Sequence, residues 1–250
     1  MRTPLFPESY SHWLSARLPL TVEETLATCD ACAMVSPSGL TRDPGPFDGT
    51  LKCCTYFPFV PNFGLGAMLE SGASLRIQVA ARSGLMLPLG LFASPEREQL
   101  SRELGPEAFG QRRELLCPFF DTAALGCSVW RNRPGVCTTY FCKSNRGAAG
   151  LEFWADIETY LNQFEWTLAN EVVLRMGFTL DEIEMSEAAM LTDGPGEERD
   201  FLISRAWAEW STRREEFLLE CTRRARTITG KELDTILGPE LLEFEARLRG

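Results

Sequence analysis

The sequence predicts a mainly α-helical protein interrupted by irregular cysteine-rich loops, with room for one small β-hairpin. Three observations carry this expectation. The last hundred residues place apolar side chains at three- and four-residue steps; eight of nine cysteines lie before residue 147, in stretches broken by Gly and Pro; and short runs either side of Ser83-Gly84 suit the strands of a small hairpin. With 250 residues, 44% of them hydrophobic, the chain is long enough for one or two compact domains.

In chain order, Thr21-Val22-Glu23-Glu24 has the Thr-x-x-Glu form of a capping box and is expected to lead a short helix into Cys29. The stretch from Tyr56 to Gly64 is aromatic and proline-rich, too irregular for a central strand, and is expected to shield the neighbouring Cys53-Cys54 from water. Ser74 to Ala80 and Leu85 to Leu91 are the two expected hairpin strands. Ser94 stands before Pro95-Glu96 as an N-cap before a first-turn proline, and Pro106 divides that region into two short helices. From Leu151 to Met176, Phe153, Ile157, Tyr160, Leu161, Phe164, Leu168, Val172 and Met176 fall on one helical stripe, with Gly177 as C-cap. A second long helix is expected from about Glu197 to Arg226, with Phe201, Trp207, Trp210, Phe217, Leu218 and Cys221 on its apolar side, and Thr229-Gly230-Lys231-Glu232 opens a last, shorter pair. Asp181-Glu182 and Glu197-Glu198 suit helix starts, where carboxylates meet the positive end of the dipole.

Charge divides the chain. Residues 1–150 hold 14 basic and 13 acidic side chains, whereas 151–250 hold 11 and 22, which concentrates the formal charge of −10 in the second part. This suggests a cysteine-cluster metal-binding domain at 1–147 and an acidic helical region at 148–250 packed on it, joined near Asn145 to Gly150. Such a balance argues against nucleic acid as the main partner, since that affinity comes from Lys and Arg displacing counterions. No apolar run reaches the length of a membrane span, and the first residues lack the pattern of an export signal, so the expectation is a cytoplasmic protein without a membrane partner.

In a reducing compartment a cluster of thiols points to metal or catalysis before disulfides. The candidates are Cys29, Cys32, Cys53, Cys54, Cys117, Cys127, Cys137 and Cys142, two sets of four, the ligand count of a tetrahedral zinc site or a cubane cluster. Cys29-Asp30-Ala31-Cys32 has the two-residue spacing that lets two sulfurs converge while backbone amides stabilise their charge. Pro118 beside Cys117 and Pro134 before Cys137 stiffen the loops that would present a ligand. In extended backbone Cys53 and Cys54 would point to opposite faces, so one is expected to ligate while the other serves a second centre; a vicinal disulfide would need a strained ring. Cys221, among helical apolar residues, reads as core, and His12, the lone histidine, as a surface or N-terminal packing residue. Single cysteines separated by nine, nine and four residues after the first turn lean toward an iron-sulfur cluster, a 4Fe-4S one first, with zinc as the alternative. Between Cys127 and Leu151 there is no acidic residue, and Arg131, Arg133, Lys143 and Arg146 either balance a negative centre or are simply solvated.

These residues resemble the YkgJ-like cysteine-cluster family, a group described as zinc- or iron-chelating domains. The resemblance covers about residues 25–145 and is carried by the CxxC opening, the Cys53-Cys54 doublet, Cys117-Pro118-Phe119, Cys127-Ser128-Val129-Trp130 and Arg133-Pro134-Gly135-Val136-Cys137. It implies that the eight cysteines named above are the ligand candidates. Twenty residues between Cys32 and Cys53 depart from the compact family pattern. Another branch is similar to a lysine methylase, but no glycine-rich methyl-donor turn follows a clear strand here.

Three functions stay open: an iron-sulfur protein that passes electrons or supports a modification, partnered by an electron donor or acceptor or a client protein; a zinc-stabilised scaffold that presents its acidic helices to a protein; and a lysine-methylase-like enzyme. A lone histidine removes the common hydrolytic triads and leaves catalytic residues unassigned.

Overall fold

The computed structural model describes residues 6–20, 24–26, 32–35, 47–192 and 196–249. The described residues are mainly helical, 62% helix and 6% strand, with a small antiparallel sheet. The capping box at Thr21 to Glu24 and the short helix expected after it fall largely outside the described residues.

After α1 (Ser11–Arg17) the sheet forms from β1 (Val60–Pro61), β2 (Gly84–Leu87) and β3 (Gly90–Ala93), in the order β1-β3-β2. Pro61 lies in an edge strand, where its missing N–H costs no central ladder bond. Between β1 and β2 run α2 (Asn62–Glu70) and α3 (Ser74–Ser83). Ser74 to Ala80 is therefore helix, not strand, and the hairpin turns at Pro88-Leu89 with Leu85 opposite Phe92. The strand reading fails because only Ile77 and Ala80, three apart, are buried, while Leu75 is 72% and Val79 43% exposed.

Helix α4 (Pro95–Leu104) starts as expected, with Ser94 Oγ accepting the Arg97 amide at 3.3 Å, and a 3-10 turn at Pro106–Ala108 follows. A two-residue ribbon, β4 (Phe120–Asp121) with β5 (Gly126–Cys127), and the short α5 (Gly135–Thr139) complete the cysteine-bearing part. The stretch expected to join the two units is a turn that opens α6 (Ala148–Arg175), with Gly147 in the left-handed region at φ +61.

The stripe read between Leu151 and Met176 is the buried face of α6: Ile157, Tyr160, Leu161, Phe164, Leu168 and Val172 are fully enclosed, and Gly177 at φ +90 ends the helix. Asp181-Glu182 opens α7 (Leu180–Leu191), where Thr179 and Glu182 form a complete capping box. The long helix expected from Glu197 to Arg226 is two helices, α8 (Glu197–Trp207) and α9 (Arg214–Thr227), parted by Ala208 at φ +44 and a 3-10 turn. The reason is packing: Trp207 and Phe217 would lie about 15 Å apart along one straight helix. The break brings their rings to 5.4 Å, edge to face, while Trp207 Nε1 donates to Met86 O at 3.0 Å. The expected final pair is α10 (Gly230–Arg249), kinked at Gly238-Pro239.

One apolar core collects side chains from Phe6 to Leu241, so residues before and after 148 share it. Its closest helix contact is α2 against α9 at Gly66, where a Cβ would stand 2.0 Å from Leu218 O. Among the described residues no helix is long and apolar enough to cross a membrane.

Candidate functional site

Four chain segments meet at a cavity of about 320 Å³ whose wall includes Cys53, Cys54, Cys117, Cys127 and Cys137. The doublet arrives on a turn. Leu51 and Lys52 amides both donate to Asp48 O, at 3.0 and 2.8 Å, and Lys52 takes φ +55. This curled backbone places both cysteines in the wall of the same cavity, in place of the opposite faces expected for extended chain.

The Cys117 loop is fastened to that turn by its own amide, which donates to Cys54 O at 2.8 Å. Beyond Pro118 the backbone curls so that the Phe120 amide donates to Cys117 O at 3.0 Å, and the Phe119 and Phe120 amides together favour the charged form of the Cys117 thiol. The β4–β5 register sets Cys127 opposite Phe120, and Asp121 Oδ1 closes the intervening turn by accepting the Ala123 and Ala124 amides at 2.9 and 3.0 Å. Ser128 amide and hydroxyl both donate to Phe119 O, at 2.9 and 2.7 Å, which locks the two loops together. Cys137 comes on α5, where Gly135 packs so closely on α6 that a Cβ would lie 2.8 Å from Leu161 Cβ. Glu165 Oε1 accepts the Gly135 amide at 2.8 Å, fixing the start of that short helix.

Crowding the thiols has an electrostatic consequence. Burial pushes the Cys117 thiol up to about 12. Cys137 opens onto the cavity yet is surrounded by protein, and burial together with Cys117, Cys127 and Cys53 raises it well above 9.0, while Arg133 opposes the shift. Cys53 is raised first by the neighbouring Cys54 thiol and then by burial. Thiolates gathered here need added positive charge, and some is built in. Arg133 lines the cavity, donates to Trp130 O at 2.7 Å and Cys137 O at 3.3 Å, and stacks 3.7 Å from the centre of the Trp130 indole. Of the other cations read from the sequence, Arg131 faces Glu8 at 3.6 Å and Arg146 lies over Phe153, so neither joins this wall, and Lys143 acts on Cys142.

Cys142 and Cys32 lie outside the cavity wall. Burial raises Cys142 to about 11, and Cys32 and then Cys53 add to the rise. The chain before Cys32 is tied to the chain after Cys142: Glu24 accepts from Ser144 Oγ and the Asn145 amide at 2.8 Å each and from Trp154 Nε1 at 2.7 Å. Cys29 lies outside the described residues. His12 is an exposed residue of α1 beside Trp13, and Cys221 is fully buried in α9, both as read from the sequence. The Tyr56 to Gly64 segment splits between wall and scaffold, with Tyr56 lining the cavity and Val60 and Pro61 in the sheet.

Sequence reasoning missed Lys52, Glu158 and Arg97. Lys52 reaches across to Leu125 O at 2.7 Å, and Glu158 on α6 faces the cavity with a carboxyl raised by burial. Glu158 follows Ile157 of the buried stripe, a signal of position on the helix but not of chemistry. Among the described residues no three His, Cys, Asp or Glu side chains gather as they would around a single metal ion. Compared with known protein families, with curated proteins and with solved structures, the chain matches none of them.

Proposed function

We propose that this chain is a cysteine-ligated metal protein whose cavity holds an iron-sulfur cluster, a 4Fe-4S one first, in a redox or modification-supporting role. The observation that carries the reading is that five thiols from four chain segments, spread from residue 53 to residue 137, line one cavity with a guanidinium in its wall. Thiols set around a volume suit a group whose own bulk separates its ligands, whereas zinc draws four donors to one point. The donor set suits the chemistry: thiol sulfurs, neighbouring amides that favour the Cys117 thiolate, and Arg133 to balance the negative charge of a thiolate-bound centre. The YkgJ-like resemblance is part of this proposal and rests on the cysteine motifs alone. Cys32 and Cys142 remain ligand candidates outside the cavity wall, and Cys29, three residues before Cys32, remains a candidate from the sequence alone.

The test is elemental analysis and optical and paramagnetic spectroscopy of the full chain purified without oxygen. The expected result is stoichiometric iron and sulfide, a brown sample, and a spectrum that changes on reduction. A colourless, zinc-loaded protein would replace this reading with a zinc-stabilised scaffold for a protein partner. Less than one equivalent of any transition metal in folded protein would overturn both.

A further inference from the structure

We propose that Arg97, outside every cysteine motif, is a positioning residue for this centre: it fastens the loop that presents Cys117 and supplies that sulfur with a fixed positive charge. The inference rests on the metal reading above and names a residue that tunes it.

Arg97 leaves the first turn of α4, where Ser94 caps its amide. One guanidinium nitrogen donates to the carbonyls of Leu115 and, at 3.0 Å, Leu116, the two residues immediately before Cys117. The guanidinium carbon lies 5.1 Å from the centre of the Phe57 ring, in the segment that leads away from Cys53-Cys54. Arg97 therefore touches both chain segments that the Cys117 amide to Cys54 carbonyl bond joins. Among the described residues no carboxylate pairs with it; burial weakens its hold on the proton, and the Cys117 sulfur is the charge that strengthens it. A planar fork that can bridge neighbouring carbonyls and lie on an aromatic face is the geometry of Arg and not of Lys.

Reduction of a thiolate-bound cluster adds negative charge, and a fixed cation in partly buried surroundings favours the more negative form. Clamp and charge can be separated by substitution. Arg97→Lys keeps the charge and loses the fork, whereas Arg97→Gln loses the charge and keeps one donor group.

The experiment is a reductive titration of the full chain, prepared without oxygen, as wild type, Arg97→Lys and Arg97→Gln, with iron and sulfide per chain and helical content measured on the same samples. Arg97→Gln is expected to make the remaining centre about tenfold harder to reduce, equivalent to about 59 mV for one electron. Arg97→Lys is expected to hold the wild-type potential while losing part of the iron. Equal potentials in wild type and Arg97→Gln would overturn the proposal, because a merely structural arginine changes how much centre is held and not how easily it is reduced. Should Arg97→Gln fail to fold, Arg97→Lys decides: lower iron at unchanged potential supports the clamp, and iron equal to wild type overturns it. Wild-type protein without iron and sulfide overturns the metal reading instead, before any variant is compared.

Discussion

At the scale of single residues, the cavity offers five thiols where a cubane takes four, and the surplus lies in the Cys53-Cys54 doublet. Cys53→Ala and Cys54→Ala should each retain the metal, because the remaining thiol of the pair faces the same space, and the double variant should lose it. Cys117→Ala, Cys127→Ala and Cys137→Ala should each lower metal content and destabilise the cysteine-bearing loops, since binding free energy is also folding free energy. Cys221→Ala is the control: fully buried and remote from the wall, it should cost about 1 kcal/mol and leave metal content unchanged. Metal per chain, measured beside unfolding, checks the series, and full retention in the double variant would confine the site to Cys117, Cys127, Cys137 and Cys142. The thiols were legible because cysteine is scarce and its chemistry travels with the residue type. Arg97, Lys52 and Glu158 were not, because their roles exist only after α4, the 51–55 turn and α6 have been brought to one place.

At the scale of elements, periodicity served where a whole stripe was buried and failed where burial was partial. The α6 stripe was readable over seven turns, whereas α3 buries only Ile77 and Ala80 and so passed for a strand. The break between α8 and α9 has no proline or glycine to announce it; it follows from Trp207 reaching Met86 O, a tertiary contact. The α2–α9 crossing makes a sharper prediction. Gly66→Ala would place a methyl 2.0 Å from Leu218 O and 2.1 Å from Thr222 Oγ1, inside any permitted contact and against backbone. Higher helix propensity returns up to about 1 kcal/mol. Overpacking costs about 1–3 kcal/mol, and here the helices themselves must part, so a net loss near the upper end is expected. Denaturant unfolding checks it, with Gly230→Ala, whose added methyl meets open space, expected to stay within about 0.5 kcal/mol of wild type.

At the scale of the whole molecule, one buried carboxylate links three parts of the chain. Glu165 on α6, 1% exposed, accepts from Tyr10 Oη at 2.7 Å ahead of α1 and from the Gly135 amide at the start of the helix that carries Cys137. Burial raises its carboxyl from 4.5 to about 7, and the two donors oppose the rise without cancelling it. Because the folded value lies above the unfolded one, the native state binds more protons between them, so this contribution to stability is complete below about pH 4.5 and is lost as pH rises through about 7. At about 1.4 kcal/mol per unit the loss is on the order of 3 kcal/mol. Glu165→Gln cannot ionise, yet keeps an acceptor for both donors, so the wild type should weaken relative to the variant between about pH 5 and pH 8. His12, whose imidazole burial pushes below 6.5, is present in both proteins and drops out of the difference. Paired urea unfolding across that range measures it, and a difference that does not change with pH would show that Glu165 stays ionised in the fold, held by Tyr10 and Gly135 alone.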